Sequence, residues 1–320
     1  MQDAIGLSFE SEFAADVFSF LGSEGQKSVP SKHLYDAAGN ALFQRIAQMP
    51  GYGLIRAEEH LLAQHGGELA EKLRSKLRVA QLGNTAGSQS QHLLNALRPR
   101  LIPYHPIDAV AELLEQCVQK NETLEHVWIS PVQADKLPGM IEVASQRRAG
   151  EQLLVLFPGA AIGNFYPEMA VAFLRSIRRQ MSAGDVLILG ADLEKPIEPM
   201  LAAYDDNHGL CAALHLNLLT RMNRELNADF DPAQFEHVAI FNRESRSVET
   251  HIRAKEPQVV SIPKAEIVVE FRQGETIRTE SNRKYSSLEV LDLAAASGFH
   301  REEEWVDEGW GFSENLLRAA

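Results

Sequence analysis

A chain of 320 residues with 45% hydrophobic content is long enough to bury a full core, which points to one large domain or two interleaved ones. Its net charge of −13 argues against binding a phosphate backbone, and the one basic cluster, Arg175 to Gln180, reads as a solvated helix face. No apolar run approaches the roughly 20 residues needed to span a bilayer, and the opening "MQDAIGLSFESEF" is acidic and polar, unlike a signal peptide. The expectation is a cytoplasmic protein with neither a membrane nor a nucleic-acid partner.

In chain order, "LYDAAGNALFQRIAQM" (34–49) places Leu42, Phe43, Ile46 and Met49 at helical spacing, and Pro50 with Gly51 ends the run. A long helix follows over 56–77. Then the pattern alternates: strand "LRVAQLG", helix "SQHLLNAL", strand "RLIPYHPID", helix "AVAELLEQCVQ", strand "LEHVWISPV", helix "MIEVASQRR", strand "EQLLVLFPG", helix "PEMAVAFLRSIRRQ" and strand "DVLILGADL". Short apolar strands separated by helices predict a parallel sheet covered on both faces, a doubly wound α/β domain. The rhythm breaks near Pro196. A helical stretch over 200–225 precedes alternating segments, "HVAIFN", "SVETHIRA" and "EIVVEFRQGETIRTES", which read as antiparallel strands of a second domain. The tail returns to a helix, "SSLEVLDLAAASG", and a final strand pair for the first sheet. The expected boundaries are 55–193 with 284–320 for the doubly wound domain, and 8–54 with 194–283 for an α+β domain.

Cys117 and Cys211 lie in apolar helical contexts, as small buried hydrophobes do. The eleven histidines form no H-x-x-x-H or H-E-x-x-H, and no C-x-x-C accompanies them, so no metal site is expected.

Ligands of an open parallel sheet bind beyond the carboxyl ends of its strands, near the switch in strand order. The candidates are the loop "LGNTAGSQS", Asp108, Asn164 in "FPGAAIGNF", and Asp192 in "GADLEK". Asp108 is placed to take a cofactor ribose, against which stands the reading that it caps the next helix. Asn164 divides evenly between a cap near Pro167 and a ligand group. Tyr204 in "AAYDDNHG" and Glu280 in "GETIRTESNRKY" are polar groups in apolar surroundings, placed to reach a pocket between the domains; Asp205 and Asp206 read as solvated helix-face charges.

The motifs "LYDAAGNALFQRIAQMPGY", "AIGNFYPEMAVAFLRSIR", "LILGADLEK", "AAYDDNHG", "LNLLTRMNRELNADFDPAQFEHVAIFN" and "GETIRTESNRKY" together resemble the histidine Nα-methyltransferases of ergothioneine biosynthesis, from Ser31 to Ala320. The resemblance implies a Rossmann-like methyltransferase sheet with a second, substrate-binding domain, S-adenosylmethionine as cofactor and a small amino acid as substrate. It further implies that Asn164 and Tyr204 hold the substrate carboxylate, that Glu280 hydrogen-bonds the imidazole and that Tyr35 encloses the substrate. The same resemblance implies that Asp108 binds the cofactor ribose. Gly83, Thr85 and Gln89 fall at cofactor-loop positions, Gln133 beside the adenine and Asn282 on the substrate side.

The chain also departs from the family pattern. Where the family reads E-L-G-S-G followed by a serine and a basic pair, this loop has Gln81, Thr85 and Gln89 in place of the acid, the second glycine and the lysine. A β-branched residue replaces glycine where the backbone must approach the cofactor. Gln133 and Ala134 stand for an Asp-Phe pair. Gly53 stands for a tyrosine, Thr250 for a methionine and Asn282 for a serine. Each uncompensated pocket change is worth about 1–3 kcal/mol in recognition. Two readings follow: an active amino-acid Nα-methyltransferase with an altered cofactor loop, or an inactive relative that binds an amino acid or a partner subunit.

Overall fold

The computed structural model describes residues 9–74, 76–83, 89–98 and 100–320, with Gln89 described by its backbone alone. The chain divides into two units, Gly53–Lys195 with Arg283–Ala320 and Met1–Tyr52 with Pro196–Asn282.

Helices α1 (Glu12–Leu21) and α2 (Ala37–Ala47) open the chain; Ser11 and Asp36 cap them by accepting the Ala14 and Gly39 N–H groups. Next come α3 (Leu54–Lys72), β1 (Leu77–Leu82), α4 (Gln89–Ala96), β2 (Ile102–Asp108), α5 (Ala111–Asn121), β3 (Val127–Ile129), β4 (Val132–Gln133), α6 (Lys136–Ser145), β5 (Gln152–Phe157), α7 (Pro167–Arg178) and β6 (Val186–Asp192). After them run α8 (Ile197–Ala202), α9 (Leu210–Leu226), β7 (Phe235–Asn242), β8 (Ser247–Ala254), β9 (Gln258–Ile262), β10 (Ile267–Phe271), β11 (Thr276–Arg283), α10 (Ser287–Ala296), β12 (Phe299–Asp307) and β13 (Phe312–Ala319).

In the first unit one sheet runs β12-β13-β6-β5-β1-β2-β3, with β4 also pairing β2. The strands from β6 to β3 are parallel, whereas β13 runs antiparallel to both β6 and β12. Every residue of β1, β5 and β6 is buried, the mark of strands covered on both faces, so their side chains form near-continuous apolar runs rather than alternating ones. Order reverses between β1 and β5, and the carboxyl ends of both strands therefore sit at the switch point. The second unit carries a three-stranded sheet, β11-β8-β7, and an antiparallel pair, β9 with β10, around α1 and α9.

Several expectations shift for local reasons. Helix α3 stops at Lys72 rather than at 77, and the Arg100 guanidinium donates to the Ala70 carbonyl (2.8 Å) in its last turn. Pro131, which has no N–H to give, separates β3 from β4 where one strand was expected. The helical stretch over 200–225 is two helices. Asp206 accepts the backbone N–H of His208, Leu210 and Cys211 (2.9, 3.2 and 2.6 Å) and so starts α9; it is not a helix-face charge. Burial would raise its pKa, but those donors outweigh burial and hold it below the usual carboxylate value. Arg175 and Arg178 donate to the Ala296 and Gly298 carbonyls at the end of α10, so the basic cluster is partly a helix clasp. Both cysteines are buried, and burial pushes the Cys211 thiol to about 12. No helix among the described residues is long and apolar enough to cross a membrane, and no cluster among them has the groups to hold a metal.

Candidate active site

In the first unit, Gly83 ends β1 with φ +72° and donates its N–H to the Ile107 carbonyl (2.8 Å). Only glycine takes that conformation at no cost. Asp108 ends the neighbouring β2, and Gln133 is its parallel partner in β4. Gly83, Asp108 and Gln133 therefore share one sheet edge. Thr85 lies outside the described residues, as does the Gln89 side chain. The Asp108 carboxylate accepts the Val110 N–H (3.1 Å), but α5 is capped at Val110 with no side-chain bond, so the capping reading of Asp108 does not hold. Exposed Gln133 reaches back to the Ala109 carbonyl (3.4 Å).

Gln81 is buried and satisfied locally: it accepts the Tyr104 hydroxyl (2.7 Å) and donates its amide to the Gly83 carbonyl (3.3 Å). A glutamate could not make the second bond, since an ionised carboxylate only accepts. The substitution of Gln for the family's acid thus tightens the end of β1. Lys136, at the start of α6, lies against Gly83; a Cβ there would stand 3.2 Å from the Lys136 ammonium. Lys136 has no carboxylate partner among the described residues. Sequence reasoning missed it, because it belongs to a different element from the altered loop.

Asn164 ends the short turn 161–164 after β5. It does not cap α7, whose cap position is Tyr166 with Pro167 as first helical residue. Its neighbour Phe165 stacks on Phe173 (4.8 Å, 22°), and Phe173 packs on Phe157 of β5 (5.2 Å), which anchors the turn to the core. Gly159 in the same loop gives its N–H to the buried Glu58 carboxylate (2.7 Å). Asp192, the remaining strand-end candidate, is engaged as a structural ion: both Lys195 and Lys284 bond to it.

Gly53, where the family carries tyrosine, is covered by an indole. A Cβ at this position would stand 2.3 Å from Cε3 of Trp310, in the turn between β12 and β13. The volume lost at 53 is therefore filled by a ring from elsewhere in the same unit.

The second unit gathers the other predicted residues. Burial, then Glu280, Tyr52 and Tyr204, hold the Tyr35 phenol well above its ordinary pKa, which places each of the three within electrostatic reach of Tyr35. Phe43 meets both Tyr35 (5.7 Å, 89°) and Tyr52 (6.0 Å, 83°) edge-on and fixes the two rings. Glu280 projects from β11 with its side chain 12% exposed, and His215 Nε2 of α9 lies 3.9 Å from its Oε2. Burial, then His237 and His251, lower the His215 pKa well below 6.5, so His215 is neutral. Thr250 and Asn282 are both buried. The result is one carboxylate within reach of the protonated Tyr35 phenol and beside a neutral imidazole, a setting for a ligand that donates N–H. Tyr52 and His215 were missed. Tyr52 immediately precedes the altered Gly53, which was the available signal; His215 looks like any core histidine on an apolar helix.

A family described as histidine-specific, SAM-dependent methyltransferases matches residues 13–319. The chain is 35% identical to the histidine N-alpha-methyltransferase of Mycobacterium tuberculosis, over 94% of this chain and 93% of the relative. It is 32% identical to that of Mycolicibacterium smegmatis, over 91% and 90%. An L-tryptophan methyltransferase, trpM, of Psilocybe serbica is 24% identical over 96% and 92%. A family match that runs nearly end to end, with two relatives above 30% identity over nine-tenths of both chains, places it: this chain belongs to the SAM-dependent, histidine-specific methyltransferase family.

Proposed function

We propose that this protein transfers methyl groups from S-adenosylmethionine to the α-amine of histidine. The observation that carries the reading is Glu280, a carboxylate within electrostatic reach of Tyr35 and beside a neutral histidine. An ionised carboxylate in such a setting accepts an imidazole N–H, a bond to a charged group worth about 1.5–3 kcal/mol. Tyr204, in the same unit as Glu280, holds the amino-acid carboxylate, and a phenol does not compete as a nucleophile. The raised pKa of Tyr35 keeps it protonated, so it donates a hydrogen bond and takes no proton from the amine. Asn282 and Thr250 shape the side-chain pocket.

The sheet edge fits the cofactor. Left-handed Gly83 turns the chain at the end of β1 and admits the Lys136 side chain beside it, Asp108 offers a carboxylate to ribose hydroxyls, and the Lys136 ammonium supplies a cation that Gln89 does not. When bound, S-adenosylmethionine supplies an electrophilic methyl group on a sulfonium. The protein's part is to present the unprotonated amine in line with it. Nothing in the family match favours a binding-only member.

Calorimetric titration with S-adenosylhomocysteine, then with L-histidine, tests this. Both should bind, and Glu280→Gln should weaken histidine roughly 10- to 100-fold while sparing S-adenosylhomocysteine. Histidine affinity unchanged in Glu280→Gln would contradict the assignment of Glu280.

A further inference from the structure

We propose that His215 is a positioning residue: it aims the Glu280 carboxylate at the substrate ring, so that preference for a ring bearing N–H depends on it. This rests on the assignment of Glu280 to the imidazole.

A buried imidazole on the apolar face of α9, next to Leu214, Leu218 and Leu219, is costly unless both nitrogens are engaged. Those of His215 address consecutive residues of β11. Nδ1 lies 2.7 Å from the Thr279 hydroxyl, and Nε2 lies 3.9 Å from Glu280 Oε2. The Thr279 hydrogen has two acceptors in reach, His215 Nδ1 and the Thr250 carbonyl at 3.1 Å. The shorter contact favours Nδ1, and so does Glu280: a bare Nε2 lone pair would repel the carboxylate, whereas an Nε2–H attracts it. The Thr250 hydroxyl, 3.3 Å from that of Thr279, completes the chain by donating to it. Thr250, the residue in the family's methionine position, thereby begins a hydroxyl relay that ends at Glu280.

The ring plane is fixed as well. His215 stacks on His237 (4.9 Å, 20°), and His237 Nε2–H donates to the Tyr204 carbonyl (2.8 Å). One stacked pair therefore connects the segment bearing Tyr204 with Glu280. A histidine that merely filled core volume would need none of these directed contacts.

The test compares L-histidine with β-(2-thienyl)alanine, whose ring has similar size and no N–H, by calorimetry on the intact protein. His215→Phe keeps the stack and removes both nitrogens; it should weaken histidine about tenfold, the worth of one hydrogen bond, and leave the thienyl analogue within about twofold. His215→Gln, with an amide donor near the Nε2 position, should recover most of that loss, and Thr279→Val should reproduce part of it. Nitrogen NMR of the wild-type protein should show His215 neutral with its proton on Nε2. Equal weakening of both ligands, or no change in either, would overturn the inference while leaving Glu280 in place, as would a proton found on Nδ1. Failure of the wild-type protein to bind histidine would overturn it together with the proposed function.

Discussion

Asp192 ends β6 between two buried ammonium groups. Lys284 Nζ lies 2.7 Å from one carboxylate oxygen with its side chain fully buried, and Lys195 bonds the other. Burial brings the Lys195 pKa down to about 8 against the pull of Asp192, and its ammonium stands 4.3 Å over the Trp310 ring that covers Gly53. Removing the shared anion would take from two buried cations the carboxylate that both of them bond. Asp192→Asn should therefore lower stability by about 3–5 kcal/mol at pH 7, measured by urea unfolding. A loss below about 1 kcal/mol would show that the lysines find other partners. The sequence marks Asp192 and Asp108 identically, as carboxylates at strand ends. What separates them is a partner distant in the chain, Lys284, and no local pattern reports a contact of that kind. Asp206 is similar: its role as the donor-collecting start of α9 depends on a turn through left-handed Gly209, not on helical spacing.

At the scale of elements, α3, β13 and the loop after β5 meet at a carboxyl pair. Glu58 and Glu314 are both buried, and burial, then Glu58, push the Glu314 pKa well above 4.5. Glu314 is accordingly protonated and donates to Glu58, which also receives the Gly159 N–H. That bond secures the loop carrying Asn164 over β6, where Gly190 leaves room; a Cβ at 190 would stand 2.6 Å from the Gly159 carbonyl. In the unfolded chain Glu314 titrates near its ordinary value. Its folded pKa is higher, so the contribution to stability is full below about pH 4.5 and falls as pH rises toward the folded value, by up to about 1.4 kcal/mol per pH unit. Glu314→Gln donates to Glu58 without needing a proton. Thermal unfolding from pH 5 to 8 should show the variant gaining on the wild type as pH rises; parallel curves would contradict the shared proton. The order of elements here was legible because parallel strands and amphipathic helices have distinct periods. The ends of α3 and the split between β3 and β4 were less so, since they depend on Arg100 and Pro131.

For the molecule as a whole, the doubly wound sheet, the antiparallel return of β12 and β13 and the family were readable from sequence, because they rest on long repeated patterns and several motifs. For the site, sequence motifs point to Tyr35, Asp108, Asn164, Tyr204 and Glu280 and to nothing outside themselves. Tyr52, Lys136, His215 and Trp310 surfaced through packing, each a side chain brought from an element remote from the motif it serves. Two of them answer departures that looked like losses. Trp310 fills the space at Gly53, and Lys136 brings a cation to the altered cofactor edge.

The most direct test is mass spectrometry of L-histidine incubated with the protein and S-adenosylmethionine, with fragmentation to locate any added methyl group. Methyl groups on the α-amine, formed by the wild-type protein and sharply reduced in Asp108→Ala, are the predicted result. Unmodified histidine recovered from folded protein that binds both ligands would contradict the account.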